Sequence, residues 1–260
     1  MQLKLNPHCT HRDIKPLINI AVARSLRELR IEMICESFEL PKSFYMFSQL
    51  ETVILEKVSL EDVPRNAHFP CLKRLHLLSV KFTGDESVKK LLSLCPILEE
   101  LVVKRSSLTN ILTLYVLLHL QTPDSYLPTG TSFVFLDHLE LCLCSTEWWN
   151  LLTCILVDAP KLRVLKLKLY RKHCVRYNDV MDQWNQPDYV PMCLSSYLEI
   201  FEWRQYNGKE KEREVAKYIL ANASRLKKAT FYSESGEKDG ILKELEYMAR
   251  GSTTCKLVFD

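Results

Sequence analysis

The sequence comprises 260 residues with a formal net charge of +3, enough chain for one large domain or two smaller ones. Because Lys and Arg barely outnumber Asp and Glu, the composition gives no sequence-wide indication of nucleic-acid binding. Hydrophobic residues make up 47% and glycines number six, which is typical of a soluble globular protein without glycine-rich phosphate loops or long flexible linkers.

The sequence predicts neither a membrane span nor a secretory signal. The first residues lack a continuous apolar stretch followed by a small-residue cleavage site. The longest apolar run, residues 111–120, is about half of what a membrane span requires. Ten cysteines without a secretory signal indicate a reducing compartment, where cysteines behave as small buried hydrophobes. We therefore expect an intracellular protein of the nucleus or the cytoplasm, without membrane association.

A short pattern, L-x-x-L-x-L with variations, recurs along the chain. Its first leucines lie at positions 26, 50, 72, 98, 136, 162, 198 and 226, so the intervals are 24, 22, 26, 38, 26, 36 and 28 residues. Most of these intervals lie in or near the 20–29-residue range of leucine-rich repeats, and the two long ones leave room for an insertion or a degenerate unit. The sequence therefore predicts an irregular repeat array.

Each repeat is expected to form one strand, most often followed by a helix. In the sixth copy, Leu165, Leu167 and Leu169 alternate with Lys166 and Lys168, so the leucines and the lysines lie on opposite sides of a strand. Between strands, residues 85–95 and 145–159 carry a polar N-cap candidate, apolar positions at helical spacing and a proline after the last turn. Such units cannot bury their apolar sides alone, so they stack.

Two further helices and a last strand are predicted at the C-terminal end. Val215, Tyr218 and Ile219 follow helical spacing, and the charged residues 209–214 form the start and the far side of that helix. A second helix turns Ile241, Leu242, Leu245 and Met248 inward, and residues 255–259 form a final strand. A repeat array needs a terminal cap with a polar outer side, so the charged residues serve solubility first and docking second.

The predicted fold is an α/β leucine-rich-repeat solenoid, a curved parallel sheet with helices on the convex side. Such arrays bind partners on their extended concave surface. The alternation therefore selects the polar, outward strand positions as a candidate protein-binding surface, with mixed charges that suit a specific protein partner. These candidate residues are Arg74, His76, Glu100, Lys104, His138, Glu140, Lys166, Lys168, Glu202 and Arg204.

The C-terminal third resembles the FBD domain of plant F-box/FBD/leucine-rich-repeat proteins. The resemblance rests on "VPMCL" from Val190, "FEW" from Phe201, "YNGKE" from Tyr206, "YILANA" from Tyr218, and the later "LKKAT" and "CKLVFD". Upstream, the stretches beginning at Cys71 and Leu139 are similar to the repeats of that family. The resemblance divides the chain into irregular leucine-rich repeats, residues 1–189, and a C-terminal FBD capping domain, residues 190–260.

The resemblance implies the substrate-binding part of an SCF-type ubiquitin ligase receptor. In that family, an F-box binds the ligase adaptor, which connects to the cullin, and the repeats with the FBD region hold a target protein, here unknown. Nothing before Leu26 resembles an F-box. Residues 110–132 match the family's repeats poorly, and two explanations stay open: a real insertion, or a shortened or misjoined gene model. The alternative is a free-standing leucine-rich-repeat interaction module that does not recruit the ligase.

Constellations that suggest other chemistry are weak. His8, Cys9 and His11 lack the second ligand pair of a zinc site, and a polar loop is expected there. Cys142 and Cys144 share one side of a strand without partners for metal or redox chemistry. No catalytic or nucleotide-binding motif occurs. We therefore expect no enzyme, no metal, no cofactor and no nucleic-acid partner.

Two surface features stay open. Trp148 is predicted to lie in the core, whereas Trp149 is either core or a partner anchor. The basic residues between positions 161 and 172 are predicted to form a solvated strand face rather than a nucleic-acid surface, because no ladder of stacking aromatic residues accompanies them.

Overall fold

The computed structural model shows an α/β protein with two compact units, residues 1–133 and residues 134–260. It describes residues 1–6, 11–33, 38–60, 63–64, 67–82, 90–104, 133–143, 148–168, 184, 186–187, 189–233 and 238–260. The helices and strands defined below, and every statement on absence, refer to these residues.

The first unit is built on a parallel sheet. Its elements are β1 (Gln2–Leu5), α1 (His11–Ala23), β2 (Glu28–Met33), β3 (Phe38–Glu39), a 3-10 helix (Lys42–Met46), β4 (Thr52–Glu56), β5 (Val58–Leu60), β6 (Arg74–Leu78), β7 (Lys81–Phe82) and β8 (Glu100–Lys104). Strands β1, β2, β4, β6 and β8 pair in this order, each parallel to the next. The short strands β3, β5 and β7 form a second parallel ladder.

The second unit repeats the parallel arrangement, with a helix between every two consecutive strands. Its elements are β9 (His138–Cys142), α2 (Trp148–Asp158), β10 (Val164–Lys168), α3 (Met192–Ser196), β11 (Ile200–Arg204), α4 (Glu210–Asn222), β12 (Lys228–Tyr232), α5 (Lys238–Tyr247) and β13 (Lys256–Phe259). Neighbours in the order β9, β10, β11, β12 and β13 pair in parallel.

The repeat motif forms the core of both units, as the alternation predicts. The fourth and sixth positions of each motif are buried strand residues, for example Leu75 and Leu77 in β6 or Leu165 and Leu167 in β10. Burying one such side chain contributes about 1.5–3 kcal/mol. The predicted strands β2, β4, β6 and β8 to β13 are therefore confirmed, whereas Leu169 lies outside the described residues.

The predicted helices are confirmed where the structure describes them. In α4, Val215, Tyr218 and Ile219 are buried, and in α5 Ile241 and Leu245 are buried. Helix α2 spans most of the predicted 145–159 segment, and Leu152 and Ile155 are buried in it. The predicted cap at Asp85 lies outside the described residues.

The polar loop expected before the first repeat is wrong at His11, where α1 begins. Ile14, Ile18 and Ala21 line one side of α1 at helical spacing and are buried, which drives the segment into a helix despite Pro16. Strand β1 was also not predicted, and it adds a parallel partner to β2. His8 and Cys9 lie outside the described residues.

The boundary between residues 189 and 190 stays a prediction. The two compact units divide elsewhere, after Phe133, and describe how the chain packs rather than which family each part belongs to.

Candidate protein-recognition surface

In the first unit, three of the predicted site residues lie together. Arg74 and Glu100 are register partners on β6 and β8, and Nε2 of His76 lies 2.6 Å from Oε1 of Glu100. Arg74 Nε donates a hydrogen bond to Oγ1 of Thr52 at 2.9 Å, and its guanidinium approaches Glu28 at 3.7 Å. These contacts form two groups, one joining Arg74 to Thr52 and Glu28 and the other joining His76 to Glu100.

Lys104, the fourth predicted residue of this unit, lies at the other end of β8, opposite Leu78. Its side chain is half-buried and takes part in interactions of its own. The structure therefore separates Lys104 from the His76–Glu100 pair.

In the second unit, the register aligns the predicted residues in rows. Glu140, Lys166 and Glu202 are successive partners on β9, β10 and β11, so charges of alternating sign run across the sheet. Lys168 and Arg204 are partners in the next row. His138 begins β9 opposite Val164. All six predicted residues are half-buried or exposed, whereas the alternate positions of these strands are buried.

Arg204 is held in place from two directions. Its Nε donates a hydrogen bond to Oε1 of Glu202, and its guanidinium lies 4.6 Å from the centroid of the Tyr232 ring. The hydrogen bond that Arg204 donates to Glu202 is the main reason that the pKa of Arg204 is raised. A cation over an aromatic ring adds about 0.5–1 kcal/mol at an exposed site. The Arg204 side chain is therefore pre-ordered.

The sequence analysis missed several residues of the same side of this sheet. Ile200, Lys228 and Lys256 continue the row that begins with His138 and Val164. Tyr232 is the register partner of Arg204. The signal was present, because Lys228 occupies the repeat position that Arg74 and Glu100 occupy in earlier copies.

A second set of charges was also missed, at the second position of each motif. In the first unit, Arg27 pairs with Glu51 at 3.5 Å and Lys73 pairs with Glu99 at 3.1 Å. In the second unit, the sequence Asp137, Arg163, Glu199 and Lys227 forms one continuous chain of ion pairs at 3.7, 3.3 and 2.9 Å. We call these residues the second-position ladder. They satisfy one another, so they connect neighbouring repeats.

The FBD motif residues of the second unit support the fold. Trp203 and Tyr206 are fully buried, with ring centroids 5.1 Å apart, and both pack on Phe231. Gly208 has a φ of +66°, a conformation that side chains other than glycine rarely adopt. Oε2 of Glu212 accepts hydrogen bonds from the backbone N–H groups of Asn207, at 2.8 Å, and Lys209. This motif therefore holds the turn between β11 and α4.

No group of three or more His, Cys, Asp or Glu side chains in the described part of the chain is placed to hold a metal ion. Burial raises the pKa of the Cys95 and Cys193 thiols to about 12, so both stay protonated and are poor nucleophiles. Cys142 is buried, and Cys144 lies outside the described residues. Trp148 and Trp149 are in α2, but their side chains are also outside the described part.

None of the described helices has the length and apolar character needed to cross a bilayer.

Comparison with known proteins agrees with the resemblance seen in the sequence. The sequence model of the FBD family matches residues 186–231. The model of the leucine-rich repeats of the FBD-associated F-box protein At5g56370 matches residues 14–114.

Similar proteins of Arabidopsis thaliana have F-box and FBD in their names. The putative FBD-associated F-box protein At1g50980 is 55% identical, over 94% of this chain and 74% of the relative. The putative FBD-associated F-box protein At5g56560 is 37% identical, over all of this chain and 81% of the relative. The F-box/FBD/LRR-repeat protein At5g56420 is 32% identical, with the same coverage. None of these names denotes an enzyme. The chain therefore belongs to the plant F-box/FBD/leucine-rich-repeat family.

Proposed function

We propose that this chain is the protein-recognition part of an SCF-type ubiquitin ligase receptor, which holds a target protein for ubiquitination. The observation that carries the proposal is the ordered polar side of the parallel strands in a member of the F-box/FBD/leucine-rich-repeat family. In the second unit this side presents the row Glu140, Lys166 and Glu202, with Arg204 fixed over Tyr232.

The proposed role of these side chains is polar selection of the partner. The charges of one strand lie beside those of the next. A partner must therefore present complementary charges in the same order, to compensate for the charge pairs that it disrupts. No proton transfer or nucleophilic attack is required of them. The proposal includes the curved solenoid, in which the polar strand sides form the concave surface, and a location in the nucleus or the cytoplasm.

The ligase connection is tested by affinity purification of the tagged protein, expressed from its own gene in plant cells. Recovery of the ligase adaptor and the cullin supports the receptor role. If the folded protein brings down a target but neither ligase subunit, the receptor role is wrong. The free-standing interaction module, which we consider the second candidate, would then replace it.

The recognition surface is tested with the recovered target. Lys166→Glu together with Lys168→Glu reverses two charges of the proposed surface, and we expect target binding to weaken at least about tenfold. The matched control, Lys217→Glu with Lys243→Glu, places the same charge change on the exposed sides of α4 and α5. Equal target binding by both double variants would show that the polar side of the strands is not the binding surface.

A fluorescent fusion expressed from the same gene tests the location in the nucleus or the cytoplasm.

A further inference from the structure

The outward strand positions of the second unit carry an excess of positive charge. We call this set the β9–β13 face; it comprises residues 138, 140, 142, 164, 166, 168, 200, 202, 204, 228, 230, 232, 256 and 258. Its acidic members are Glu140 and Glu202, and its basic members are Lys166, Lys168, Arg204, Lys228 and Lys256. This set thus contains two acidic and five basic residues, although the whole chain is nearly neutral.

Three of these lysines have no carboxylate partner among the residues that the structure describes. Glu202 is engaged by Arg204. Within the described residues, Lys166, Lys228 and Lys256 form no salt bridge. Lys227, the residue directly before Lys228, differs in that it pairs with Glu199. The second-position ladder is thus neutralised internally, whereas the adjoining row of the β9–β13 face is not.

Lys228 and Lys256 are also direct register partners on β12 and β13. Neighbouring strands lie about 4.8 Å apart, and like charges placed opposite each other destabilise a sheet. Both side chains are exposed. A carboxylate bound between them would remove this repulsion and replace water at two ammonium groups.

An apolar patch adjoins the two lysines in the same row. Ile200 is the register partner of Lys228 and is 38% exposed, and Val164, half-buried, lies on its other side. Val258, also half-buried, follows Lys256 by two residues on β13. An aliphatic side chain placed on Ile200 would lie one strand spacing from the nearest lysine.

The same face is poorly suited to a nucleic acid. Glu140 and Glu202 stand on both sides of Lys166 and would repel a continuous phosphate backbone. The Tyr232 ring, which could stack on a base, is covered by the Arg204 guanidinium. A protein segment can place its carboxylates at Lys228 and Lys256 and keep them away from the two glutamates.

We propose that the β9–β13 face binds an acidic segment of the partner protein, with carboxylates at Lys228 and Lys256 and an aliphatic side chain on Ile200. This inference rests on the proposed function and specifies the chemistry of the target. The binding weakens as salt is added, because its strongest contacts are between exposed charges.

The test begins with the full chain and a phage-displayed library of random 12-residue peptides. We expect the selected peptides to be enriched in Asp and Glu together with Leu, Ile or Val. A fluorescein-labelled selected peptide is then titrated against Lys228→Glu with Lys256→Glu, and we expect its affinity to fall at least about tenfold. Lys217→Glu with Lys243→Glu serves as the charge-matched control and should bind like the unmodified chain. Circular dichroism of each variant verifies that it is folded.

A second variant tests the apolar contact. Ile200→Ser leaves the charges unchanged, and we expect it to weaken the same peptide about tenfold by removing the aliphatic contact. Equal affinity of Ile200→Ser and the unmodified chain would contradict the placement on this row.

Other outcomes overturn the inference. Selected peptides that are neutral or basic, an empty selection, or full binding by the Lys228 and Lys256 double variant would each do so. Displacement of the peptide by single-stranded polyuridylate at equal charge concentration would instead indicate a nucleic-acid surface. If the selected peptides respond to Lys166→Glu with Lys168→Glu but not to the Lys228 and Lys256 variant, the inference fails while the proposed function stands. The recovery of ligase subunits and target tests that function separately.

Discussion

Lys227 and Glu199 are joined twice, once through their side chains and once through their backbones. Nζ of Lys227 lies 2.9 Å from Oε2 of Glu199, and the backbone N–H of Lys227 donates to the Glu199 carbonyl oxygen at 2.8 Å. The lysine is the main cause that lowers the pKa of the Glu199 carboxyl, and Arg163 adds to it. The Glu199 carboxylate therefore pairs with a basic side chain of the preceding motif and with one of the following motif.

Reversing the charge at Glu199 should destabilise the second unit. Glu199→Lys places three cations in a row with Arg163 and Lys227, where attraction is replaced by repulsion. We expect a lower Tm in differential scanning fluorimetry, with a difference that shrinks at high salt. Glu214→Lys, on α4 and without an ion pair among the described residues, is the matched control. An equal Tm for both variants would show that the ladder does not stabilise the fold.

Glu212 should give the protein a pH dependence of the opposite sign to that of Glu199. Burial raises the pKa of Glu212, against the opposing effect of the backbone hydrogen bonds from Asn207 and Lys209. A carboxyl whose folded pKa is raised binds its proton more tightly in the folded state. Its stabilising contribution is therefore present at low pH and is lost as pH rises through the folded pKa.

Glu212→Gln removes this titration while keeping an oxygen that can accept the backbone N–H groups. We expect the free energy of unfolding of the unmodified chain to fall relative to that of the variant between pH 4.5, the ordinary pKa of this carboxyl, and neutral pH. Urea unfolding at both pH values measures it. Parallel profiles for the two proteins would mean that Glu212 titrates as an ordinary surface carboxyl.

Leu165 and Lys166 are adjacent on β10 but should respond very differently to truncation. Leu165→Ala leaves a cavity in a fully buried site and is expected to cost about 3 kcal/mol of unfolding free energy. Lys166→Ala removes an outward side chain and should change that free energy by about 0.5 kcal/mol or less. Urea denaturation of both variants provides the comparison, and similar losses would contradict the assignment of sides.

Gly208 and Gly240 form a natural pair for alanine substitution. Gly208 has a positive φ, and an added Cβ would lie 3.3 Å from Cγ1 of Ile241, so Gly208→Ala should destabilise by about 1–2 kcal/mol. Gly240 lies within α5 with no atom within 4 Å of an added Cβ, so Gly240→Ala should stabilise by about 1 kcal/mol. Thermal unfolding of the two variants measures both, and a shift of the same sign in each would refute the prediction.

The strands could be predicted from sequence because most copies of the motif alternate large apolar residues with polar ones. Helix α1 could not, since Pro16 interrupts its pattern and its buried residues, Ile14, Ile18 and Ala21, are few. The strands β3 and β7 have two residues each, too short for any periodicity.

The candidate surface was only partly accessible to the sequence. Alternation selects outward residues on each strand, but it does not say which of them find partners on the next strand. Glu202 pairs with Arg204 of its own strand, whereas the register places Lys228 between Ile200 and Lys256, so that among the described residues it has no carboxylate partner. The boundary after residue 189 and the binding role of the ten predicted residues stay predictions.

The alternating charges of the second-position ladder constrain the gain and loss of repeats during evolution. Its signs alternate from Arg27 through Glu51 and Lys73 to Glu99, and again from Asp137 through Arg163 and Glu199 to Lys227. Duplicating or deleting a single repeat within either series would make two like charges neighbours, whereas a change of two repeats would preserve the parity. In sequence order, parity is broken once, between Glu99 and Asp137, across the 38-residue interval between motifs. Gain or loss of an odd number of repeats at that junction would leave the alternation within each series intact.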